Sequence, residues 1–397
     1  MLDPETTSDK CHCHFFSTLG SLITTKMKKS TSLLLTLFTF AFMIGQEHSH
    51  TGASAMTYPN IEGYVTLKTD LHMHSVFSDG NVWPTIRVQE ALREDLDAIS
   101  LTEHLEYQPH SEDIPHPDRN RAFDLALAEA AEHELLIVPG SEITRSAPVG
   151  HSNAIFITDA NTLMESEAEK AFTAAKKQGA FVFWNHPAWY RQSPTGNPIL
   201  SDFQKKRIAN GELHGIEVIN SMDYAEESLA LALEQNLTIM GTSDVHGLID
   251  WDYTEKGNHR PITLVFAKDK TLESLKEALF AGRTVAVYND LLVGKAEYLK
   301  PLLEQCIKVN AVAYEMDTLV LRVELENVSS SDLLFENAMS YTFYSKPPIF
   351  TIAAGQTETL QIKTLEKVSN IDLKLKALGA FTAPKEQPIV EWNIVVE

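Results

Sequence analysis

Two histidines one residue apart, His72 and His74, close a segment that reads as an extended strand, VTLKTDLH over 65–72. On an extended chain residues i and i+2 point to the same side, so the pair can grip one metal ion together. Asp244 and His246 repeat that spacing at the end of LTIMGTSDVH (237–246). Other ligand-capable side chains fall at further strand-like ends: His104 in DAISLTEH (97–104), Glu142 in LLIVPGSEIT (135–144), and His186 in AFVFWNHP (180–187). His151 opens the strand-like HSNAIFIT (151–158), and Asp79 follows His74 by five residues in an Ser-Asp-Gly turn. Imidazole and carboxylate ligands without thiolate suit Zn²⁺, Mn²⁺ or Fe²⁺. Each residue also has a plain structural reading. A lone buried histidine is commonly a hydrogen-bonded core residue, and an Asp before Gly a turn residue. Their joint occurrence at successive strand ends favours a metal centre. His110, His116, His133, His214 and His259 fall on predicted loops or helices and read as surface residues.

The elements that must position these groups alternate in kind. Helices are predicted over 84–95, with Pro84 in the first turn, over 121–133, over 168–179 ending at Gly179, and at about 224–236 and 271–281. Between them lie the strands above and GIEVIN (215–220), ITLVF (262–266) and TVAVY (284–288). Such alternation predicts a parallel sheet, and its length a barrel of seven or eight units, with the ligands on the face where the C-terminal strand ends converge. After about residue 296 the pattern changes. Segments 319–329, 341–345, 357–365, 371–378 and 388–397 are strand-like with polar turns between them, and predict a small β-sandwich that contains no histidine. The expected organisation is a leader over 1–55, a barrel domain over 60–292 and an accessory β-sandwich over 297–397.

Bulk composition narrows the partners. The chain has 397 residues and a formal net charge of −21. Residues 1–55 hold four acidic residues (Asp3, Glu5, Asp9, Glu47) and four basic ones (Lys10, Lys26, Lys28, Lys29), so the remainder carries the same −21. A surface that acidic repels a polyphosphate backbone, so no long nucleic acid is expected as a partner. Of three cysteines, Cys11 and Cys13 lie in the leader. Cys306 alone remains, which rules out an internal disulfide or a Cys-based zinc site in the body. Lys26, Lys28 and Lys29 precede an apolar run over 33–45, with Ala53-Ser54-Ala55 beyond it. That run is short for a bilayer span and suits a signal peptide with its core over 27–45, so export to the periplasm or the exterior, without stable anchoring after cleavage, is expected. An uncleaved membrane anchor is the alternative.

The motifs TDLHMHSVFSDG, AISLTEH, PGSEI, GHSNAI, NHP and SDVH, in this order over 69–246, resemble those of the PHP (polymerase and histidinol phosphatase) family of metal-dependent phosphoesterases. Glu103 stands where that family commonly has Asp before the histidine. The resemblance implies a distorted (β/α)7 TIM-like barrel with two or three divalent metals. It places His72, His74, Glu142 and Asp244 on the first metal, with Glu142 bridging to a second held also by His151 and His186, and Asp79, His104 and His246 on a third. The leader, single barrel and C-terminal β-domain together look most like the Sb-PDE-type phosphodiesterases.

The implied reaction is hydrolysis of a small phosphate ester, most plausibly a diester, by metal-bridged hydroxide attack at phosphorus. Asp244 and His246 are the candidate catalytic residues. Arg145, three residues after Glu142, is a candidate phosphate clamp, with Arg119 and Arg121 as weaker ones. Asn185, Trp184, Trp189, Tyr190 and Trp251 flank ligands on predicted rim loops and could shape a leaving-group pocket or simply pack. The alternatives within the family are a phosphomonoesterase and a nucleotide phosphatase or exonuclease. Outside it are a non-catalytic metal-stabilised binding scaffold and an amidohydrolase-like hydrolase. The absence of a plausible bridging lysine at a strand end speaks against the last.

Overall fold

The computed structural model describes residues 55–396. The leader read from the sequence therefore lies outside the described residues, Ala55 excepted. Twelve strands precede the sandwich: β1 (Val65–Met73), β2 (Ala98–Leu101), β3 (Leu136–Ile137), β4 (Gly140–Ile143), β5 (Ser152–Ile155), β6 (Phe181–Trp184), β7 (Gly215–Asn220), β8 (Asp223–Tyr224), β9 (Thr238–Thr242), β10 (Ile262–Ala267), β11 (Thr284–Tyr288) and β12 (Leu291–Gly294). Interleaved with them are α1 (Pro84–Arg93), α2 (Arg121–Glu129), α3 (Ala168–Lys177), α4 (Asp202–Ala209), α5 (Glu226–Glu234), α6 (Ile249–Asp252), α7 (Leu272–Phe280) and α8 (Ala296–Cys306).

Two sheets meet along both edges. One holds β10, β1, β2 and β3 in order; the other holds β4, β5, β6 and β7, with β9 beside β7. A parallel bridge from Met73 to Val245 joins β1 to the segment after β9, and a second from His104 to Glu142 joins the end of β2 to β4. The first seam is fastened by Asp244 N–H to His72 C=O at 2.9 Å and His74 N–H to Val245 C=O at 3.0 Å. The second is fastened by Glu142 N–H to Glu103 C=O and Leu105 N–H to Glu142 C=O, both 2.9 Å. The strands β1, β2, β4, β5, β6, β7 and β9 thus follow one another around a ring whose last step returns to β1. Both seams are short and lie where the ligand motifs are. Strands β2, β4, β5 and β6 are buried at every residue, as an inner sheet covered on both faces requires.

The arrangement departs from a purely parallel barrel. β4 pairs with β5, and β5 with β6, in antiparallel register. The connection from β4 to β5 is too short to hold the crossover helix that parallel strands need, so the chain turns straight back. β1 also pairs antiparallel with β10, which leads through β11 to β12 as a meander. The single strand expected over 135–144 is two, β3 and β4, divided at Val138-Pro139. Pro139 lacks the N–H that a continuing ladder would use, and there the chain passes from one sheet to the other. Sequence patterning also left out α4, whose buried stripe is confined to Gln204 and Arg207.

Helix α1 shows how a helix locks a seam. Pro84 opens it and Arg93 lies in its last turn. Its inner face buries Val88 and Ala91 but also Arg87 and Glu90, which pair at 2.7 Å. Arg87 donates through Nε to the His74 carbonyl at 2.9 Å and through Nη2 to the Val245 carbonyl at 3.2 Å. A buried guanidinium so satisfied clamps the two chains that carry His74 and His246.

Nine further strands follow: β13 (Ile307–Tyr314), β14 (Val320–Asn327), β15 (Leu333–Asn337), β16 (Thr342–Phe343), β17 (Ile349–Ile352), β18 (Thr357–Lys363), β19 (Asn370–Ala377), β20 (Ala380–Phe381) and β21 (Ile389–Val395). They form two four-stranded antiparallel sheets, β13-β14-β18-β16 and β17-β15-β19-β21. β19 alternates buried with exposed or half-buried residues, burying Ile371, Leu373, Leu375 and Ala377 toward the facing sheet. Each such buried Ile or Leu contributes about 2 kcal/mol through area removed from water. β20 leaves the sandwich and pairs in parallel with β12 of the preceding sheet. Near it the Tyr58 and Ser331 hydroxyls bond at 2.8 Å. Among the described residues no helix is long and apolar enough to cross a membrane.

Candidate metal centre

His72 and His74 leave the end of β1 on the same side, as their spacing predicts. Their Nε2 atoms stand 3.1 Å apart. Each lies 3.1 Å from Asp244 Oδ1, and they lie 3.5 and 3.4 Å from Glu142 Oε2. Four ligands around one ion at roughly 2.1 Å in tetrahedral geometry would be separated by roughly 3.4 Å. These five separations are near that spacing, and the residues come from the two chain segments of one seam and from β4 at the other.

The remaining residues of the constellation surround this core. His151 Nδ1 is 2.6 Å from Glu142 Oε1, and His186 Nε2 is 3.7 Å from Asp244 Oδ2. On the opposite side Asp79 Oδ1 lies 3.4 Å from His104 Nε2 and 3.2 Å from His246 Nε2. The nine residues His72, His74, Asp79, His104, Glu142, His151, His186, Asp244 and His246 therefore meet in one place. Their ligand atoms fall into overlapping groups: His74, Asp79, His104 and His246; His72, His186 and Asp244; His72, His74 and Glu142; His104, Glu142 and His151. His151 opens its strand instead of closing it because β5 runs antiparallel, which brings its first residue to the face where its neighbours end.

Several of these atoms have close neighbours only within the cluster. Both Glu142 carboxylate oxygens, Asp79 Oδ1 and His151 Nδ1 are buried without a hydrogen-bond partner among the described residues. Their close neighbours are other members of the cluster, His104 and His246 for Asp79 and His104 and His151 for Glu142. An unsatisfied buried carboxylate costs several kcal/mol unless a cation meets it, and the donor set fits divalent metal.

The electrostatics suit the same purpose. Burial pulls His74 down to about 3, with His246 and His104 adding to the effect, so its imidazole is neutral. Burial alone would raise Glu142 and Asp244. The surrounding imidazoles, His104 and His151 for Glu142 and His72 for Asp244, hold both well below the usual carboxylate range. Against the lowering effect of burial, Glu142 and Asp79 raise His104 to about 11. His72 is raised by Asp244 and Glu217, and His246 by Asp79 and Asp244, again against burial.

Supporting side chains fix the ligands. Glu217, buried in β7, accepts from His72 Nδ1 at 2.7 Å and Thr242 Oγ1 at 2.6 Å on one oxygen. On the other it accepts from the His186 N–H at 2.7 Å and Asn220 Nδ2 at 2.9 Å. Because a carboxylate only accepts, His72 carries a proton on Nδ1 and turns Nε2 toward the cluster, where a metal would displace any second proton. Sequence reading did not single out Glu217; its signal is an acidic residue inside the otherwise apolar strand GIEVIN. Glu103, which precedes His104, accepts from the Ser75 and Ser78 hydroxyls and from the Ser75 N–H at 3.1 Å, tying down the turn that presents Asp79. Below Asp244, buried Asp70 accepts from Ser243 Oγ at 2.6 Å and pairs with Arg260 at 3.2 Å.

Two ligands occupy the left-handed region, His186 at φ +28° and Asp244 at φ +51°. Such conformations cost of order 1–3 kcal/mol each and persist where surroundings impose them; here the His186 N–H is held by Glu217 and the Asp244 N–H by His72. Gly80 has a different constraint. A Cβ there would lie 2.7 Å from the His74 carbonyl carbon and the Ser75 nitrogen, both backbone atoms, so only glycine lets the Asp79 turn close against β1.

The cluster floors a cleft of about 900 Å³. Its walls include Tyr107, Arg145, Trp189, Arg191 and Asn220. Arg145 reaches it but is ion-paired with Glu106 and donates to the Glu165 carbonyl at 2.6 Å. Arg119 caps the His116 carbonyl at 3.1 Å, and neither it nor Arg121, at the start of α2, lines the cleft. Trp189 packs edge-on against His151 and His186 with centroids 5.8 and 5.2 Å apart. Asn185 is a packing residue, exchanging hydrogen bonds with Asn153 across β5 and β6. Trp184 is buried, Tyr190 exposed, and Trp251 exposed away from the cleft.

Among the histidines assigned to the surface, His116 is buried, its ring held by the Ile114 and Phe77 carbonyls. His214 is half-buried against Phe181 and Phe280 and accepts from the Val182 N–H at 3.1 Å. Both sit in loops that fold back over the sheet, which local polarity does not reveal.

Comparison with known proteins places this geometry in context. Residues 307–393 match a family model described as DUF5001, Ig-like domain. Among curated proteins none matches the chain. A two-domain protein from Bacteroides vulgatus, described as containing a predicted PHP-like metal-dependent phosphoesterase, is 39% identical over 86% of this chain and 98% of its own, with a TM-score of 0.80. The lesion-specific endonuclease EndoQ of Pyrococcus furiosus is 16% identical over 58% of this chain and 59% of its own, with a TM-score of 0.36. An amidohydrolase from Chromobacterium violaceum is 16% identical over 45% of this chain and 87% of its own, with a TM-score of 0.33.

Proposed function

Because this chain belongs to the PHP-like metal-dependent phosphoesterases, we propose that it hydrolyses a small phosphate ester, a phosphodiester before a monoester, at the cluster of nine ligands. The observation that carries this reading is the set of buried, partnerless ligand atoms on Glu142, Asp79 and His151, the last two residues lining an open cleft. Two or three divalent ions, Mn²⁺, Zn²⁺ or Fe²⁺, would be held by His72, His74, Glu142 and Asp244, by Glu142, His151 and His186, and by Asp79, His104 and His246. When bound they would supply a water acidified toward neutrality and positive charge for the phosphoryl oxygens.

The chain's own groups do the rest. Glu142 offers its two oxygens to different ligand groups and so holds them in register, while Asp244 completes the group of His72 and His74. Glu217 and Thr144 orient His72 and His104, the latter through Thr144 Oγ1 at 2.6 Å from Nδ1. The third ligand group, Asp79, His104 and His246, lines the cleft and is placed to meet the departing alkoxide with a metal or a proton. Arg145 clamps the phosphate by exchanging Glu106 for an oxyanion.

The barrel of 60–292 carries the chemistry, and the sandwich of 297–397 is accessory. The basic and apolar leader supports an exported enzyme, periplasmic or extracellular, and the net charge supports a small substrate with no long nucleic acid. The test is turnover of metal-stripped protein reloaded with Mn²⁺ or Zn²⁺ on a p-nitrophenyl phosphomonoester and an alkyl p-nitrophenyl phosphodiester. Faster diester cleavage is expected. Faster monoester cleavage would make the enzyme a phosphatase, and inactivity on both with metals counted in place would reject these substrates.

A further inference from the structure

A second cavity of about 380 Å³ adjoins the metal-floored cleft. The two share His186, Trp189, Asn220 and Asp223 as a common wall, so His186, one of the nine candidate ligands, stands at the junction of two lobes. A phosphomonoester has one substituent to place in such a site. A diester has two, pointing away from phosphorus in different directions.

The smaller lobe differs in chemistry from the larger. Pro187, Ala188, Val218 and the rings of Trp189, Tyr190 and Tyr224 give it apolar and aromatic walls. Its charged members, Glu217, Asp223 and Glu227, are all acidic, and it contains no Lys or Arg. The Tyr224 hydroxyl is buried and has no hydrogen-bond partner among the described residues. A buried phenol without a partner costs of order 1–3 kcal/mol. Burial, with Glu226 and Glu227 nearby, raises this phenol to about 12, so it keeps its proton and has it to donate. The ring is seated from outside: Phe381 of β20 stacks on Tyr224 with centroids 5.9 Å apart and an interplanar angle of 24°. The Lys385 N–H bonds Glu226 at 2.9 Å beside it. The Ig-like region thus backs one wall of the lobe.

Resting on the phosphodiester reading above, we propose that this lobe is a subsite for the second ester substituent, and that it selects an uncharged, planar apolar group carrying a hydrogen-bond acceptor for Tyr224. An anionic substituent, such as a further phosphate or a carboxylate, is disfavoured by Asp223, Glu217 and Glu227; the nearby guanidinium of Arg191 lies over the outer rings of Trp189 and Tyr190, at 5.4 and 5.8 Å, and is not part of the lobe's lining. Tyr224 is the specificity-determining residue, and Phe381 positions it.

The metal-loaded full-length protein tests this with three diesters that share p-nitrophenol as leaving group and carry methyl, 4-acetylphenyl or 4-carboxyphenyl as the other substituent. The expected result is a KM about tenfold lower for the acetylphenyl than for the methyl ester, with the carboxyphenyl ester losing that gain. Tyr224→Phe should reduce the acetylphenyl advantage severalfold through KM, not kcat. Ala225→Phe, which fills the lobe, should bring the acetylphenyl-to-methyl ratio close to one. Equal KM values for all three esters in the unaltered protein, or preference for the carboxyphenyl ester, would overturn the subsite while leaving the phosphodiester reading intact. Failure to turn over any ester with metals counted in place would overturn both. The substrate series needs no variant, so misfolding of a variant does not decide the matter.

Discussion

Glu217 accepts a 2.7 Å hydrogen bond from His72 Nδ1 while its other oxygen accepts the His186 N–H at the same distance. One buried carboxylate thereby orients two candidate ligands that lie more than a hundred residues apart in the chain. Glu217→Gln preserves shape but puts an amide donor against at least one of four donors. Metal affinity should fall roughly 10- to 100-fold, the usual loss when such a supporting carboxylate is removed. Isothermal titration of metal-stripped protein reads this directly; affinity equal to that of the unaltered protein would reduce Glu217 to a packing role.

Asp244 sits at φ +51° and completes the group of His72 and His74. Asn tolerates that backbone region, so Asp244→Asn should fold with a Tm within a few degrees of the parent. Turnover should fall by about three orders of magnitude or more, because the group built on His72 and His74 loses a charged member. Full turnover in this variant, or in His72→Ala, would refute the centre as drawn.

Gly80 tests the route by which Asp79 is delivered. The contacts a Cβ would make at 2.7 Å are with backbone atoms of His74 and Ser75, which cannot swing away. Gly80→Ala should destabilise the protein by about 2–4 kcal/mol and remove the metal that depends on Asp79. Thermal melting paired with metal counting would detect both effects, and an unchanged Tm would show that the turn can open.

Loading metal should release protons. His104, raised to about 11, and His72 and His246, also raised, hold protons near neutral pH in the metal-free protein. A ligating imidazole must surrender the proton on its metal-facing nitrogen. Apparent affinity should therefore climb as pH rises through neutrality. Calorimetry in two buffers of different ionisation enthalpy measures the protons released, and a value near zero would contradict the raised imidazoles.

The Ig-like region should not be separable from the barrel. Ala380–Phe381 add a strand beside β12, and buried Phe335, Leu373 and Cys306 share one core cluster with barrel residues Ile99 and Leu264. Truncation after Cys306 should expose that surface, with loss of solubility or a Tm drop of about 10 °C or more. A truncated chain that melts like the parent would show two independent units.

Part of this was written in the sequence. His72 and His74, and likewise Asp244 and His246, are spaced for one side of an extended chain, and nearly every other ligand stands at the end of a run whose pattern announces a strand. Period and composition therefore yield the α/β class, the separate all-β region and the identity of the cluster, because strand geometry translates spacing into direction locally. The tertiary structure decided what depends on distant chain segments meeting. The antiparallel turn at β4–β5, the seams at Met73–Val245 and His104–Glu142, the burial of His116, and the passage of β20 into the neighbouring sheet have no local periodicity. Glu217 is the clearest instance. In its own strand it is only an acidic interruption, and it becomes a support for the centre because β1, β6 and β9 bring His72, His186 and Thr242 to its two oxygens.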